Sequence, residues 1–302
     1  MLYQLGGPEL APLTAAPARR EQPVLGFIRF DEVPKTSRLL HLSPVVEREC
    51  GRSIPTQLES HEGFDLMMLH VPCHQQPLAL QRLCIYFEDK LLLFVCDDTD
   101  LSGQVVERLR QSRAPHTLER VLYAFLDQLT VDDVAQLDAI EQDISDLEDQ
   151  ILLAGKVDYT REIVRLRKGL MVYKRYYEQL LDVSEALEEN ENGLISETML
   201  RYFHILTNRV DRLYHNVLNL RDYVTQVRES YQAQVDIQLN SLMKLFTVLT
   251  AVFLPLTLIA GWYGMNFDMP EYRLSWGYPL VIVVSLGVVS LCLVLFKRNK
   301  WL

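Results

Sequence analysis

The sequence predicts an α/β domain at the N-terminal end, then a long helical stalk, then two membrane-spanning helices. Three observations carry this reading. Short apolar runs alternate with turn signals over residues 24–96. From about residue 117 to 262 the pattern turns helical, broken near Gly155 and at 188–193 (EENENG). Residues 245–262 and 278–296 carry no charge, and each run of about 18–19 residues approaches the roughly 20 that cross a hydrocarbon core. Two such runs joined only by a short polar loop are rare inside a soluble core. The resulting division is 1–115 for the α/β domain, 116–241 for a helical hairpin and stalk, and 242–302 for the membrane part. Its spans are 243–262 and 278–296, with an outer loop at 263–277.

Taken in order, residues 1–22 read as a loose leader rich in Pro and Ala. Strands are expected at 24–30, 64–71, 83–87 and 91–96. Glu88-Asp89-Lys90 marks a hairpin between the last two. Residues 44–50 and 102–113 read as helices, and the strand order stays open. The segment 127–150 is periodic and acidic, with Asp132, Asp133, Asp138, Glu141, Asp143, Asp146, Glu148 and Asp149 and no Lys or Arg. The next segment is basic, with Arg161, Arg165, Arg167, Lys168, Lys174 and Arg175, so an antiparallel hairpin with complementary faces is expected. The acidic helix either gathers cations or is an ordinary solvated face. Residues 194–262 contain no glycine before Gly261 and one proline, Pro255. A continuous helix there is about 100 Å long and needs neighbours, because such a helix is not stable alone in water.

Charge and composition narrow the function. The formal charge of −10 argues against a nucleic-acid partner and favours a surface that concentrates cations. Cys50, Cys73, Cys84, Cys96 and Cys292 form no CxxC pair and read as reduced, buried thiols of a cytosolic domain. Residues 1–23 have neither an apolar nor a basic signal region, so the large first part is expected in the cytoplasm. Lys244 before the first span and Lys297, Arg298 and Lys300 after the second place both ends in the cytoplasm under the positive-inside rule. No Gly-rich phosphate loop and no nucleophile–base pair stand out, which disfavours an enzyme or ATP-driven transport. His70, Cys73 and His74, with His61 as a further ligand, form a weak zinc pattern that reads more simply as a strand end.

The first span ends in Tyr263-Gly264-Met265-Asn266-Phe267. The region also holds Pro255-Leu256-Thr257, Ile259-Ala260-Gly261, Met269-Pro270-Glu271, Trp276-Gly277-Tyr278-Pro279 and a basic tail over 297–301. Over residues 240–302 this resembles the CorA family of magnesium channels, and the helical plan upstream fits too. The α/β domain matches in outline only. The resemblance implies a funnel-shaped homopentamer in the inner (plasma) membrane. It implies Mg²⁺, with Co²⁺ and Ni²⁺, as transported ions rather than cofactors, and Asn240, Met243, Leu254, Thr257 and Asn266 as pore-lining.

Physical chemistry gives these residues roles. Mg²⁺ dehydrates reluctantly, so a pore can read its water shell through oxygens, as a ring of Asn266 carbonyls does. Neutral amides hold the ion weakly enough to release it. Gly264 is expected to let the backbone turn and Met265 to pack. Asparagine is also a frequent helix C-cap, a role compatible with ion contact. Asn240, Met243, Phe246 or Thr247, Thr250, Leu254, Thr257 and Gly261 lie three or four apart and so share one helix face. That face carries polar rings at Asn240 and Thr257 and apolar constrictions at Met243, Phe246 and Leu254, which gate by dewetting. Pro255 removes a backbone bond and is expected to bend the span. Two spans cannot enclose a conduit, so the pore needs several copies.

One departure concerns regulation. Many bacterial members of the family carry acidic residues between cytoplasmic subunits, where magnesium holds the channel shut. Counting back from Asn240 places Ile205 at one such position, and Ser43-Pro44-Val45-Val46-Glu47 places Arg48 at another. Neither is a carboxylate. Glu47, Asn208, Asp222 and Glu229 are the nearby substitutes. A zinc transporter of the same superfamily and a pore-less, membrane-anchored coiled-coil scaffold are the rival readings.

Overall fold

The computed structural model describes residues 2–5, 10–13, 22–51, 58–73, 76–96, 103, 107, 117–153, 157–266 and 276–299. The chain separates into two compact units, Met1–Val227 and Arg228–Leu302.

The first unit is built on a seven-stranded sheet. Its strands are β1 (Leu2–Leu5), β2 (Leu10–Leu13), β3 (Val24–Ile28), β4 (Glu59–His61), β5 (Phe64–Cys73), β6 (Gln76–Glu88) and β7 (Leu91–Cys96), ordered β2-β1-β3-β7-β6-β5-β4. Only β3 and β7 pair in parallel; the other neighbours are antiparallel. All four expected strands are present. The hairpin turns at Asp89-Lys90, with Glu88 opposite Leu91. The sheet extends further than the apolar runs do. Residues 2–5 and 10–13 are not a loose leader: they form its edge, where Tyr3 and Leu5 are buried. Pro12 is tolerated on β2 because an edge strand has a side that needs no donor. Strand β3 stops at Ile28, and a single 3-10 turn, Phe30–Glu32, leads into α1 (Val33–Leu40). Helix α2 (Pro44–Cys50) forms as expected, with Ser43 Oγ accepting from Val45 N at its start. The helix expected over 102–113 lies outside the described residues, apart from Gly103 and Glu107, which are helical.

Strand alternation sends side chains to both faces, and both are covered. Val33, Leu40, Val46 and Cys50 of α1 and α2 pack on Leu66, Met68, Cys84, Tyr86 and Leu93. On the opposite face Phe94 stacks on Phe125, 4.1 Å between ring centroids, so α3 (Leu118–Leu129) lies there. The second residue of the strand pattern thus faces helices as well as the first, which explains why β7 is buried at every position.

The acidic segment is not one helix. It divides into α3 and α4 (Asp133–Leu153) at Thr130, whose hydroxyl donates to Asp127 O at 3.0 Å. Helix α4 and α5 (Thr160–Glu189) form the antiparallel hairpin: Asp143 meets Arg165 at 3.3 Å, and Tyr173 donates to Gln136 at 2.8 Å. The first contact is an exposed ion pair, worth little. The apolar seam contributes more. Buried Leu137, Ile144, Leu147 and Ile151 of α4 and Ile163, Leu166, Leu170, Tyr173 and Tyr177 of α5 recur at intervals of three, four or seven residues, one stripe on each helix. Helix α5 ends at Asn190, which takes the left-handed conformation with φ 49°. Helix α6 (Glu197–Tyr263) then runs 67 residues without a break, and Pro255 does not interrupt it. Its buried stripe Met199, Phe203, Leu206, Val210, Leu213, Val217, Leu220, Val224 and Val227 alternates four and three, completing a three-stranded helical seam that stops at Val227.

Candidate ion-conduction site

The second unit holds the end of α6 and α7 (Gly277–Arg298). Among the described residues these are the two helices long and apolar enough to cross a membrane. From residue 239 to 247 every position of α6 is exposed, although Leu239, Leu242, Met243, Leu245 and Phe246 are apolar. So many exposed apolar side chains on one helix are unfavourable in water and call for a bilayer or other helices. From Val248 onward one stripe is sheltered: Val248, Ala251, Val252, Pro255, Leu256, Ile259 and Tyr263. Helix α7 shelters Val281, Ser285, Val288, Val289, Cys292 and Phe296, also at helical spacing. Cys292 Sγ lies 3.8 Å from Ala251 O and joins the two stripes.

The remaining face of α6 carries the sequence-predicted residues. At about 100° per residue, Asn240, Met243, Phe246, Thr247, Thr250, Leu254, Thr257 and Gly261 fall within an arc of about 120°, centred on the side opposite the sheltered stripe. All eight are exposed, Met243 at 65% and Leu254 at 69%. Thr247 donates its hydroxyl to Met243 O at 2.8 Å and Thr257 donates to Phe253 O at 2.9 Å. With the protons turned inward, the hydroxyl oxygens keep acceptor capacity, which suits the water shell of a cation.

Helix α6 ends at Tyr263, and Gly264 N donates to Ala260 O at 2.9 Å. Gly264 does not take a left-handed conformation. It is needed for close approach instead: a Cβ there would stand 2.9 Å from Ala260 O, a backbone atom that cannot step aside. Met265 N donates to Trp262 O at 3.3 Å, and its side chain is exposed rather than packed within the chain. Asn266 is exposed beyond the helix end. It is not a left-handed C-cap, since the described non-glycine residues with positive φ are His41 and Asn190. Phe267 and the loop to 275 lie outside the described residues.

Sequence reasoning missed the sheltered stripe and Cys292. The reading of all five thiols as those of a cytosolic domain does not hold for Cys292, which lies in the second apolar helix, while Cys50, Cys84 and Cys96 are buried in the first unit. The signal available was the proline: a helix with Pro255 leaves Ala251 O without its usual donor, and a polar atom on the adjacent helix is then expected.

Arg48 on α2 pairs with buried Glu49 at 2.9 Å, and Ile205 is an exposed apolar residue on α6. Asn208 donates to His204 O at 2.7 Å. No group of three His, Cys, Asp or Glu able to hold a metal occurs among the described residues. The zinc pattern also separates. His61 pairs with Phe64 across the β4–β5 ladder and stacks on it, six residues from His70, or about 20 Å along the strand. His74 and the Cys73 side chain lie outside the described residues.

An α/β domain, a helical seam and one long helix leading into two apolar spans define a membrane protein of the transporter class. The chain belongs to the CorA-like Mg²⁺ transporter family, which it matches over residues 31–298. It is 30% identical to the cobalt/magnesium transport protein CorA of Thermotoga maritima over 289 residues, 92% of this chain and 82% of that one. Its fold matches the complete CorA magnesium transporter of Methanocaldococcus jannaschii with a TM-score of 0.82 at 21% identity, covering 97% and 95% of the two chains. The full-length CmaX protein matches with a TM-score of 0.77 at 18% identity, covering 99% and 97%.

Proposed function

We propose that this chain is the subunit of a homopentameric channel that passes Mg²⁺, and also Co²⁺ and Ni²⁺, down the electrochemical gradient through the inner membrane. The observation that carries this reading is the geometry of α6. One face packs toward α7, and the opposite face presents Asn240, Thr250 and Thr257 among apolar residues. A scaffold with no pore has no use for polar groups on that face. Several copies around an axis place it inward and enclose a conduit.

In this reading the hydrated ion is selected at the outer mouth by Asn266, with Gly264 and Met265 shaping the turn. It passes the Thr257 and Asn240 rings, and flow is gated by the apolar rings at Leu254, Phe246 and Met243. Lys244, Lys297 and Arg298 support cytoplasmic placement of both ends. An inside-negative potential contributes about 2.3 kcal/mol per charge per 100 mV, so roughly twice that for a divalent ion.

Mg²⁺ uptake into proteoliposomes, read with an internal dye, tests the proposal. Flux is expected in the native chain and a collapse in Asn266→Ala. Unchanged flux in that variant overturns the Asn266 assignment, and absence of any ion current from purified oligomer favours the scaffold. Zn²⁺ outcompeting Mg²⁺ at equal concentration reassigns the ion.

A further inference from the structure

We propose that the cavity between β5, β6 and α5 in the first unit binds a small organic anion with an apolar body. The cavity has a volume of about 220 Å³. That is below the roughly 300–1,000 Å³ of drug-sized sites, so it fits a body of one or two rings.

Its floor is apolar: Met171, Val172 and Tyr176 from one face of α5, and Leu80 from β6. Met171 and Leu80 are exposed, 52% and 41%, which is unfavourable for side chains that line a concavity open to water. Two cations, Lys168 and Arg175, stand on the same wall, seven residues and so about 10 Å apart along the helix. No carboxylate lines the cavity among the described residues, and neither cation makes an ion pair among them. Elsewhere on α5, Arg165 pairs with Glu162 and Asp143, and Lys174 with Glu178.

The opposite wall adds a further polar group. His70 lines the cavity from β5, and its Nδ1 is buried without a hydrogen-bond partner. Burial, helped by the nearby Arg82 charge, holds the ring below the usual imidazole range, which favours its neutral form on this wall. A phosphate monoester or carboxylate held by Lys168 and Arg175, with an aromatic body on Met171 and Leu80, pairs both cations and covers both exposed apolar side chains. This site is separate from the conduction face.

The experiment titrates 1-naphthyl phosphate into the full chain in lipid nanodiscs, read by calorimetry against empty nanodiscs. One saturable site per chain is expected. Lys168→Glu with Arg175→Glu should weaken it by about tenfold or more, because charge-assisted contacts are lost. Met171→Trp, which keeps both cations and fills the floor, should abolish it. Uncharged 1-naphthol and inorganic phosphate should each bind at least about tenfold more weakly than the naphthyl ester. No saturable heat, equal affinity in all three proteins, or either half-ligand binding as tightly as the ester overturns the proposal.

Discussion

The thiol of Cys292 on α7 lies 3.8 Å from the carbonyl oxygen of Ala251 on α6, the carbonyl that Pro255 deprives of its helical donor. In a hydrocarbon environment an unpartnered carbonyl is costly, so the second span supplies what the proline removed. Cys292→Val should therefore destabilise the spans by about 0.5–1.5 kcal/mol, and Cys292→Ser should be close to neutral. In a Pro255→Ala background, where the helical donor returns, the Cys292→Val penalty should shrink. Unfolding by SDS titration measures all three, and an undiminished penalty there refutes the link.

Gly264 permits the tight end of α6. Gly264→Ala brings a Cβ to 2.9 Å from Ala260 O and forces the backbone to shift. Mg²⁺ flux should fall strongly while helix content by circular dichroism stays the same. Gly287→Ala on α7, where nothing stands within 4 Å, is the control.

Leu254 is an exposed apolar residue on the helix face shared with Asn240, Thr250 and Thr257, and in the proposed channel it forms an apolar constriction. Leu254→Ser should ease wetting of a closed pore and raise resting Mg²⁺ flux in proteoliposomes. Unchanged or reduced flux counts against a hydrophobic gate at this position.

Arg209 donates to Asp127 at 2.6 Å and joins α6 to α3, with the carboxylate only 14% exposed. A double-mutant cycle with Asp127→Ala and Arg209→Ala should give a coupling of about 1–2 kcal/mol in thermal unfolding. A coupling indistinguishable from zero would place this pair with ordinary surface ion pairs.

Arg48 and Ile205 stand where the family resemblance implies carboxylates that hold magnesium between subunits. Flux driven by a fixed membrane potential should then be insensitive to luminal Mg²⁺ on the cytoplasmic side, comparing millimolar Mg²⁺ with EDTA. Closure by that Mg²⁺ would point to another sensor, with Glu47, Asp222 and Glu229 the first to substitute.

Long periodic segments were legible without coordinates. The 188–193 break, the single helix through Pro255, the two spans and the 88–90 hairpin follow from local pattern, because each depends on residues close in the chain. The four-residue strands β1 and β2 were not legible, since such short pieces carry no period and are held by pairing with each other and, through β1, with β3. The division at Thr130 was hidden for a similar reason: the acidic run continues across it.

For the candidate site, the sequence by itself determined which α6 residues share a face, because helical spacing converts position directly into angle. It also determined that no carboxylate stands at 48 or 205. Only the tertiary structure decided which way that face is turned. The sheltered side of α6 depends on where α7 lies, and Ala251 and Cys292, distant in the chain, become neighbours only on packing. Helical periodicity therefore identifies the stripe, and the contact between the two spans leaves it facing away from α7.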